Sequence, residues 1–291
     1  MKKVLGIDIG GTKIRMGIIA ANGEIFYEEQ VPTAFPLYVY LEQQVLRILA
    51  LYPEVEAIGV GTHGFVDPKE GSVIYATEVL PGWSGTAVKQ QLEKSTGKQV
   101  ELENDANCVA LAESKFGAAK GLDRVVCLTL GTGLGGGVLW DGKLLSGGPH
   151  GGAGELGHML LYPNGVLCPC GRKGCGEQYV SGTAIRRRIK EAGLSITPQE
   201  LFENAAVDPV CMQVVRGFTA DLAFIVSSLQ AAFDMDMMII GGGVSESAEF
   251  WWDLFLQQLE PQLLNPLAVE VAQFENDAGI LGAALLVLEE E

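Results

Sequence analysis

GIDIGGTKIRMGII, residues 6–19, sets β-branched residues on both sides of Gly10 and Gly11, so it reads as strand, glycine turn, strand. ANGEIFYEEQV, residues 21–31, follows with an Asn-Gly hairpin signal and a third strand behind it. Apolar positions at helical spacing over residues 38–52 predict a helix, and EVEAIGVGTHG, residues 54–64, returns as a strand ending in glycines. Ser84 is placed to cap a helix that Gly97 stops, QVELEN (99–104) is a strand, and residues 106–116 are a helix.

The opening pattern recurs in RVVCLTLGTGLGGGVLWDGKLL, residues 124–145, and the likeness of LTLGTGLGGGVL (128–139) to residues 6–19 implies internal duplication of one α/β unit. Helices near 182–193 and 208–233, a strand DMMII (236–240), a GGGVSES segment (241–247) leading into a helix, a strand near 268–274 and a last helix over 277–288 complete the pattern. The expectation is an α/β protein of two lobes, residues 1–118 and 119–276, hinged near 118. The C-terminal helix, about 277–291, is expected to pack back on the first lobe.

Composition excludes several classes of function. The net charge of −16 sets the phosphate backbone of nucleic acid against the chain. MKKVLGIDIGG reaches Asp8 after four uncharged residues, short of a signal peptide's apolar core, and no later stretch of eighteen residues lacks a charge or a glycine cluster. A cytoplasmic, soluble protein without nucleic-acid or membrane partners is expected. Cys108, Cys127 and Cys211, each alone in apolar surroundings, read as small core side chains, Trp251 and Trp252 as core or interface rather than ligand contacts, and Arg186, Arg187 and Arg188 as a solvated helix face.

GTGLGG, residues 131–136, matches a dinucleotide fingerprint, but that motif requires a helix next and GVLWDGKLL predicts strands, so the dehydrogenase reading fails on context. A glycine turn between strands can still aim several N–H groups at one anion. Gly10-Gly11-Thr12 and Gly131-Thr132-Gly133 are expected to face each other as phosphate cradles. Asp8, just before the first, suits a water-bridged Mg²⁺ ion; the plainer alternative is an ion pair with Lys13 or Arg15. Asn104 and Asp105 stand where a strand gives way to a helix, so each reads either as an N-cap or, for Asp105, as a general base kept ionised by the helix terminus.

GHMLLYPNGVLCPCGRKGC, residues 157–175, gathers His158, Cys168, Cys170 and Cys175, the ligand set of a closed tetrahedral Cys₃His zinc site, inside an insertion spanning 155–177. With four protein ligands the metal would be structural. Glu155 and Glu177 flank it, and an imidazole bound through one nitrogen can donate from the other to a carboxylate or hydroxyl. The arrangement suits a hydroxyl-rich ligand, although Glu155 and Glu177 could equally be solvated or support the zinc. IIGGGVSES, residues 239–247, could lie against a nucleotide through Gly242 and Gly243, or be a plain strand-to-helix loop.

Taken together, these segments resemble the ROK family of sugar kinases and sugar-responsive repressors, with the two-lobed, duplicated actin/hexokinase-like (ribonuclease H-like) fold and an interdomain active-site cleft. DIGGTK and LGTGLGGG resemble its two phosphate motifs, IIGGGVSES its adenosine-side motif, ENDANCVALAE its catalytic segment, and GELGHMLLYPNGVLCPCGRKGCGEQYVSG its sugar and zinc signature. The resemblance implies Asp105 as base. It also implies sugar contacts from Asn104, Glu155, His158 and Glu177, with Gly64 bordering the sugar, and zinc on His158, Cys168, Cys170 and Cys175. ATP and Mg²⁺ would lie at Asp8, Gly10, Gly11, Thr12, Lys13, Gly131, Thr132, Gly133, Gly242 and Gly243. His63 and Glu78 depart from the family pattern and put the particular sugar in doubt. Family repressors carry a DNA-binding domain ahead of DIGGT, and seven residues before Asp8 leave no room for one. The expectation is an ATP-dependent hexose kinase acting on the 6-hydroxyl, glucose first, with N-acetylmannosamine, fructose or allose as alternatives and a sugar-sensing binding protein as the non-enzymatic one. Homodimers or homotetramers are implied.

Overall fold

The computed structural model describes residues 2–145, 150–274 and 276–288. They form two units: unit 1 comprises Met1–Phe116, Leu144–Gly154 and Asn276–Glu291, and unit 2 comprises Gly117–Lys143 and Glu155–Glu275.

Unit 1 is built on a sheet of β1 (Lys3–Ile9), β2 (Lys13–Ala20), β3 (Ile25–Pro32), β4 (Ala57–Thr62) and β7 (Gln99–Asn104), in the order β3-β2-β1-β4-β7. A small hairpin of β5 (Phe65–Asp67) and β6 (Ser72–Tyr75) intervenes in the chain. The first three strands run antiparallel, because tight turns join them; β1, β4 and β7 are parallel, because chain crossovers separate them. Every residue of β4 is buried, as a central strand covered on both faces requires. Helices α1 (Leu37–Leu51), α2 (Val88–Thr96) and α3 (Asp105–Lys115) belong to this unit, as does the terminal helix Ala278–Leu288, apolar all round and therefore buried. That helix lies so close to the sheet that a side chain at Gly59 would run into the backbone of Ala283. Residues 289–291 of its predicted span lie outside the described residues.

Ser84 does not cap α2. Its hydroxyl binds both the N–H and the carbonyl of Ala76 at 2.9 and 3.2 Å, and α2 begins at an Ala87 cap with no side-chain bond. Gly97 does end α2, in the left-handed conformation at φ 65°.

Unit 2 repeats the plan. Its sheet holds β8 (Val125–Leu130), β9 (Leu134–Trp140), a short β10 (Lys143–Leu144), β11 (Met237–Gly241) and β12 (Ala268–Val271), in the order β10-β9-β8-β11-β12. A tight antiparallel pair is followed by parallel neighbours, as in unit 1, so the duplication read from two glycine turns holds for whole sheets. Its helices are α4 (Glu177–Val180), α5 (Gly182–Glu191), α6 (Pro198–Asn204), α7 (Pro209–Phe233) and α8 (Trp252–Leu259). β12 stops three residues short of its predicted end. GGGVSES opens into a 3₁₀ segment, Ser245–Phe250, rather than directly into α8.

α7 is long and apolar enough, by length and composition, to cross a membrane, yet Phe218, Leu222, Val226 and Leu229 on it are buried in the core of unit 2. Trp251 closes that core, fully buried and edge-on to Phe218 at 5.3 Å. The arginine run on α5 is only partly a solvated face. Arg186 is exposed, but Arg187 donates to the Gln178 carbonyl at 2.6 Å and Arg188 pairs with the buried Asp221, a charge that could not be buried there alone.

Candidate active site

In unit 1 the strand β1 carries Asp8 to the first glycine turn. The Gly10 N–H closes that turn on the Lys13 carbonyl at 3.0 Å, and the Thr33 hydroxyl holds the Gly10 carbonyl at 2.8 Å. Gly10 is therefore spent on the turn itself, leaving Gly11, Thr12 and Lys13 as its anion-facing candidates. Asp8 is not the partner of the nearest cations: Arg15 pairs with Asp277 at 2.7 Å and Glu28 at 3.1 Å, and Lys13 reaches Asn276 at 3.3 Å. Its carboxyl lies against the start of the terminal helix, where a Cβ at Gly279 would sit 2.6 Å from Oδ2. Burial, and next the charge of Asp105, push Asp8 up to about 7, while Arg15 and Lys13 pull the other way. A buried carboxyl pushed up by a neighbouring carboxylate is the charge pattern that a divalent cation relieves, so the donor set fits Mg²⁺.

The junction of β7 and α3 separates the two readings of Asn104 and Asp105. Asn104 is the cap: its Oδ1 accepts from the N–H groups of Ala106 and Asn107 at 2.9 and 3.2 Å, and its Nδ2 donates to the Gly64 carbonyl at 3.1 Å. Asp105 is the first residue of α3, and its Oδ1 also accepts the Ala106 N–H at 2.9 Å, so that donor is shared between the two side chains while the Asn107 N–H goes to Asn104. Gly64 holds φ at 113°, a conformation that an L side chain rarely adopts. Sequence reasoning missed Glu103, a buried carboxylate that accepts from the Asn104 N–H at 2.7 Å and from Asn107 Nδ2 at 3.0 Å. The signal for it was an acidic residue in a strand otherwise closing on the helix cap. Of the two departures, His63 Nε2 meets the Thr77 hydroxyl at 3.2 Å and Glu78 is exposed.

In unit 2 the second glycine turn, Gly131-Thr132-Gly133, is followed by β9, as its sequence context requires. Gly131 N–H is again consumed within the turn, on Gly133 O at 3.0 Å. The turn is braced by the start of α5, Gly182 N–H donating to Gly131 O at 2.8 Å and the Thr183 hydroxyl to Thr132 O at 2.8 Å. The Gly242-Gly243 loop lies next to it, because Val244 N–H donates to Leu130 O at 2.9 Å.

His158, Cys168, Cys170 and Cys175 converge, their ligand atoms all within 4.8 Å of one another. Cys170 Sγ stands 3.6 Å from Cys175 Sγ, and Cys168 Sγ 3.7 Å from His158 Nδ1. Metal bonds of about 2.0–2.3 Å in a tetrahedron place ligand atoms roughly 3.5–3.8 Å apart, so the set fits zinc. Burial raises the Cys168 and Cys175 thiols. Burial also opposes Cys170, but hydrogen bonds from Arg172 hold that thiol below its ordinary range. His158 presents Nδ1 to the thiols and Nε2 towards Glu155 Oε2, 3.9 Å away, the orientation in which one nitrogen serves a metal and the other a polar partner. Glu177 joins this cluster to the glycine turn, with Oε1 3.8 Å from Cys168 Sγ and Oε2 accepting from Leu134 N–H at 3.2 Å.

The sequence profile of the ROK family matches residues 4–290. The chain belongs to the ROK family. A glucokinase of Thermotoga maritima is 35% identical, the match covering 99% of this chain and 98% of that one. An N-acetylmannosamine kinase of Vibrio cholerae is 33% identical over 97% of this chain and 98% of its own. Among solved structures, a ROK family glucokinase from Streptomyces griseus in complex with glucose and AMPPNP superposes with a TM-score of 0.83 at 35% identity, covering 98% of each chain. The duplicated sheets are thus those of the actin/hexokinase-like fold, and this ROK member is a sugar kinase by descent.

Proposed function

We propose that this ATP-dependent hexose kinase takes glucose as its acceptor and uses Asp105 as the general base. The observation that carries the reading is the head of α3: Asn104 takes the Asn107 N–H and shares the Ala106 N–H with Asp105 Oδ1, so the cap engages one carboxylate oxygen of Asp105 and leaves the other, Oδ2, out of it. Asp105 accepts the proton of the sugar 6-hydroxyl as that oxygen bonds to the γ-phosphorus and the bond to the β-phosphate oxygen of ADP breaks. Asn104, Gly64, Glu155, His158 and Glu177 hold the sugar hydroxyls. Gly11, Thr12 and Lys13 with Thr132 and Gly133 hold phosphate oxygens, Gly10 and Gly131 shape the two turns, and Gly242 and Gly243 border the adenosine. Local N–H donors must do this work because the chain carries a net charge of −16 and repels ATP at long range. Mg²⁺ beside Asp8 would neutralise charge on the phosphates, and zinc on His158, Cys168, Cys170 and Cys175 would stiffen the loop that carries the sugar contacts. A cytoplasmic homodimer or homotetramer is part of the same reading.

The glucokinase of Thermotoga maritima supports glucose, whereas the N-acetylmannosamine kinase of Vibrio cholerae, at 33% identity, supports a second reading in which the acceptor is that amino sugar. An ADP-coupled assay over glucose, N-acetylmannosamine, fructose and allose decides: glucose is expected to give the highest kcat/KM, and a higher value for another hexose replaces it. Sugar binding without any ADP release would make the protein a sensor.

A further inference from the structure

The loop between His158 and Cys175 is fastened at a second place that involves no metal ligand. Tyr162 lies on that loop, and its hydroxyl donates to Asp221 Oδ1 of α7 at 2.6 Å. The other oxygen of Asp221 is held by Arg188 of α5, so the carboxylate, only 5% exposed, is neutralised in place. Burial, and next the bond to Asp221, raise the Tyr162 hydroxyl to about 12, which keeps it a donor at any physiological pH. α7 makes room for the guanidinium at Gly217, where a Cβ would lie 2.8 Å from Arg188 Nη1. Tyr162 also packs edge-on against Tyr179 at 4.8 Å, and Tyr179 in turn accepts the Val166 N–H at 2.9 Å. Around Tyr162 the loop closes its own ladder: Leu161 N–H to Gly174 O at 2.8 Å, Gly174 N–H to Val166 O at 2.8 Å and Gly165 N–H to Tyr162 O at 2.9 Å.

We propose that Tyr162, Asp221 and Arg188 form a metal-independent clamp that acts in parallel with the Cys₃His cluster to hold the 158–175 loop, making Tyr162 a positioning residue for His158 and Glu155. Two fasteners in parallel give a distinctive signature. Either alone keeps the loop ordered, so loss of one is nearly silent while loss of both releases the loop. A residue that merely contributes to folding would instead cost the same with and without metal.

The test crosses Tyr162→Phe with removal of metal by a chelator and reads amide hydrogen exchange. Zinc-loaded wild type and zinc-loaded Tyr162→Phe are expected to protect Leu161, Gly165 and Gly174 within about threefold of each other. Metal-stripped Tyr162→Phe should exchange these amides about 10-fold faster or more than metal-stripped wild type, the scale of one hydrogen bond to a charged group. Asp221→Asn should give the same pattern. Equal exchange in the two stripped proteins, or an equal loss in the zinc-loaded pair, overturns the clamp. So does a loss that spreads to the amides of β8 and β11, since a fastener local to the loop does not open the sheet. A parallel arm measures the glucose dissociation constant, expected to weaken about 10-fold only in the stripped variant. That arm alone rests on the function proposed above: if zinc-loaded wild type binds no hexose, that reading fails while the exchange data still decide the clamp.

Discussion

Replacing Asp8 by Asn should make the ligand-free protein more stable and the enzyme less active, and the pH at which the stability gain develops follows from the site. The substitution keeps the shape that fits against Gly279 and removes a charge that neither Arg15 nor Lys13 pairs with directly. Asp8 is raised from an ordinary 3.8 to about 7 in the folded chain, chiefly by burial and then by Asp105. Because the folded value lies above the unfolded one, protonation favours the folded state; wild type loses stability as pH rises from about 4 and stops losing it near 7. About three units at 1.36 kcal/mol each set an upper figure near 4 kcal/mol, and partial contact of Asp8 with solvent reduces it to about 2–4 kcal/mol. Chemical unfolding of both proteins without added Mg²⁺, at pH 4 and pH 8, reads the difference, with Trp83 reporting on unit 1. The variant should match wild type at pH 4 and exceed it at pH 8, and Mg²⁺ should narrow the gap by stabilising the ionised carboxylate. A pH-independent difference, or a variant weaker than wild type at pH 8, refutes the electrostatic account of Asp8.

Asp105→Asn retains an oxygen for the Ala106 N–H, bonded at 2.9 Å in the wild type, so it should fold and bind glucose while kcat falls about 10²- to 10⁴-fold; near-normal turnover in the coupled assay removes Asp105 from the base role. Elemental analysis of purified protein should find about one zinc per chain, and a trace amount would discard the closed four-ligand site. Cys170→Ser weakens that site while leaving the Tyr162 bond to Asp221 in place, so alone it should change the glucose KM and kcat by less than about threefold and raise KM about 10-fold only when combined with Tyr162→Phe; a selective loss of kcat in the single variant would place Cys170 nearer the reaction.

The order of elements was legible because its signals are local. Gly10-Gly11 and Gly131–Gly133 between β-branched runs announced two like hairpins, and both sheets carry them at equivalent places. The Cys₃His set was equally legible, since ligand identity and spacing alone bring four soft donors into one loop. What sequence could not show were partners distant in the chain. Ser84 has the composition of a cap but bonds to Ala76 instead, and the arginine run looks solvated until Asp221, thirty-three residues beyond Arg188, is seen behind it. Asn104 and Asp105 could not be told apart from composition, because both residue types cap helices. Only the Asn107 N–H, which bonds to Asn104, assigns the cap, since the Ala106 N–H bonds to both.

Glu177 shows what stiffening the loop around His158, Cys168, Cys170 and Cys175 would accomplish if, as proposed, a metal held there performs no chemistry. One carboxylate oxygen lies beside Cys168 in the metal cluster and the other receives the N–H that leaves the second glycine turn at Leu134. Gly133 lies against the same group, for a Cβ there would come 2.5 Å from Oε2. A displacement of the loop therefore reaches the turn directly, through this charged side chain and through Gly157, whose backbone lies against the Leu134 carbonyl. If the loop holds the acceptor and the turn the phosphates, as proposed above, this tie places the two together, and phosphoryl transfer depends on placement more than on any one reactive group.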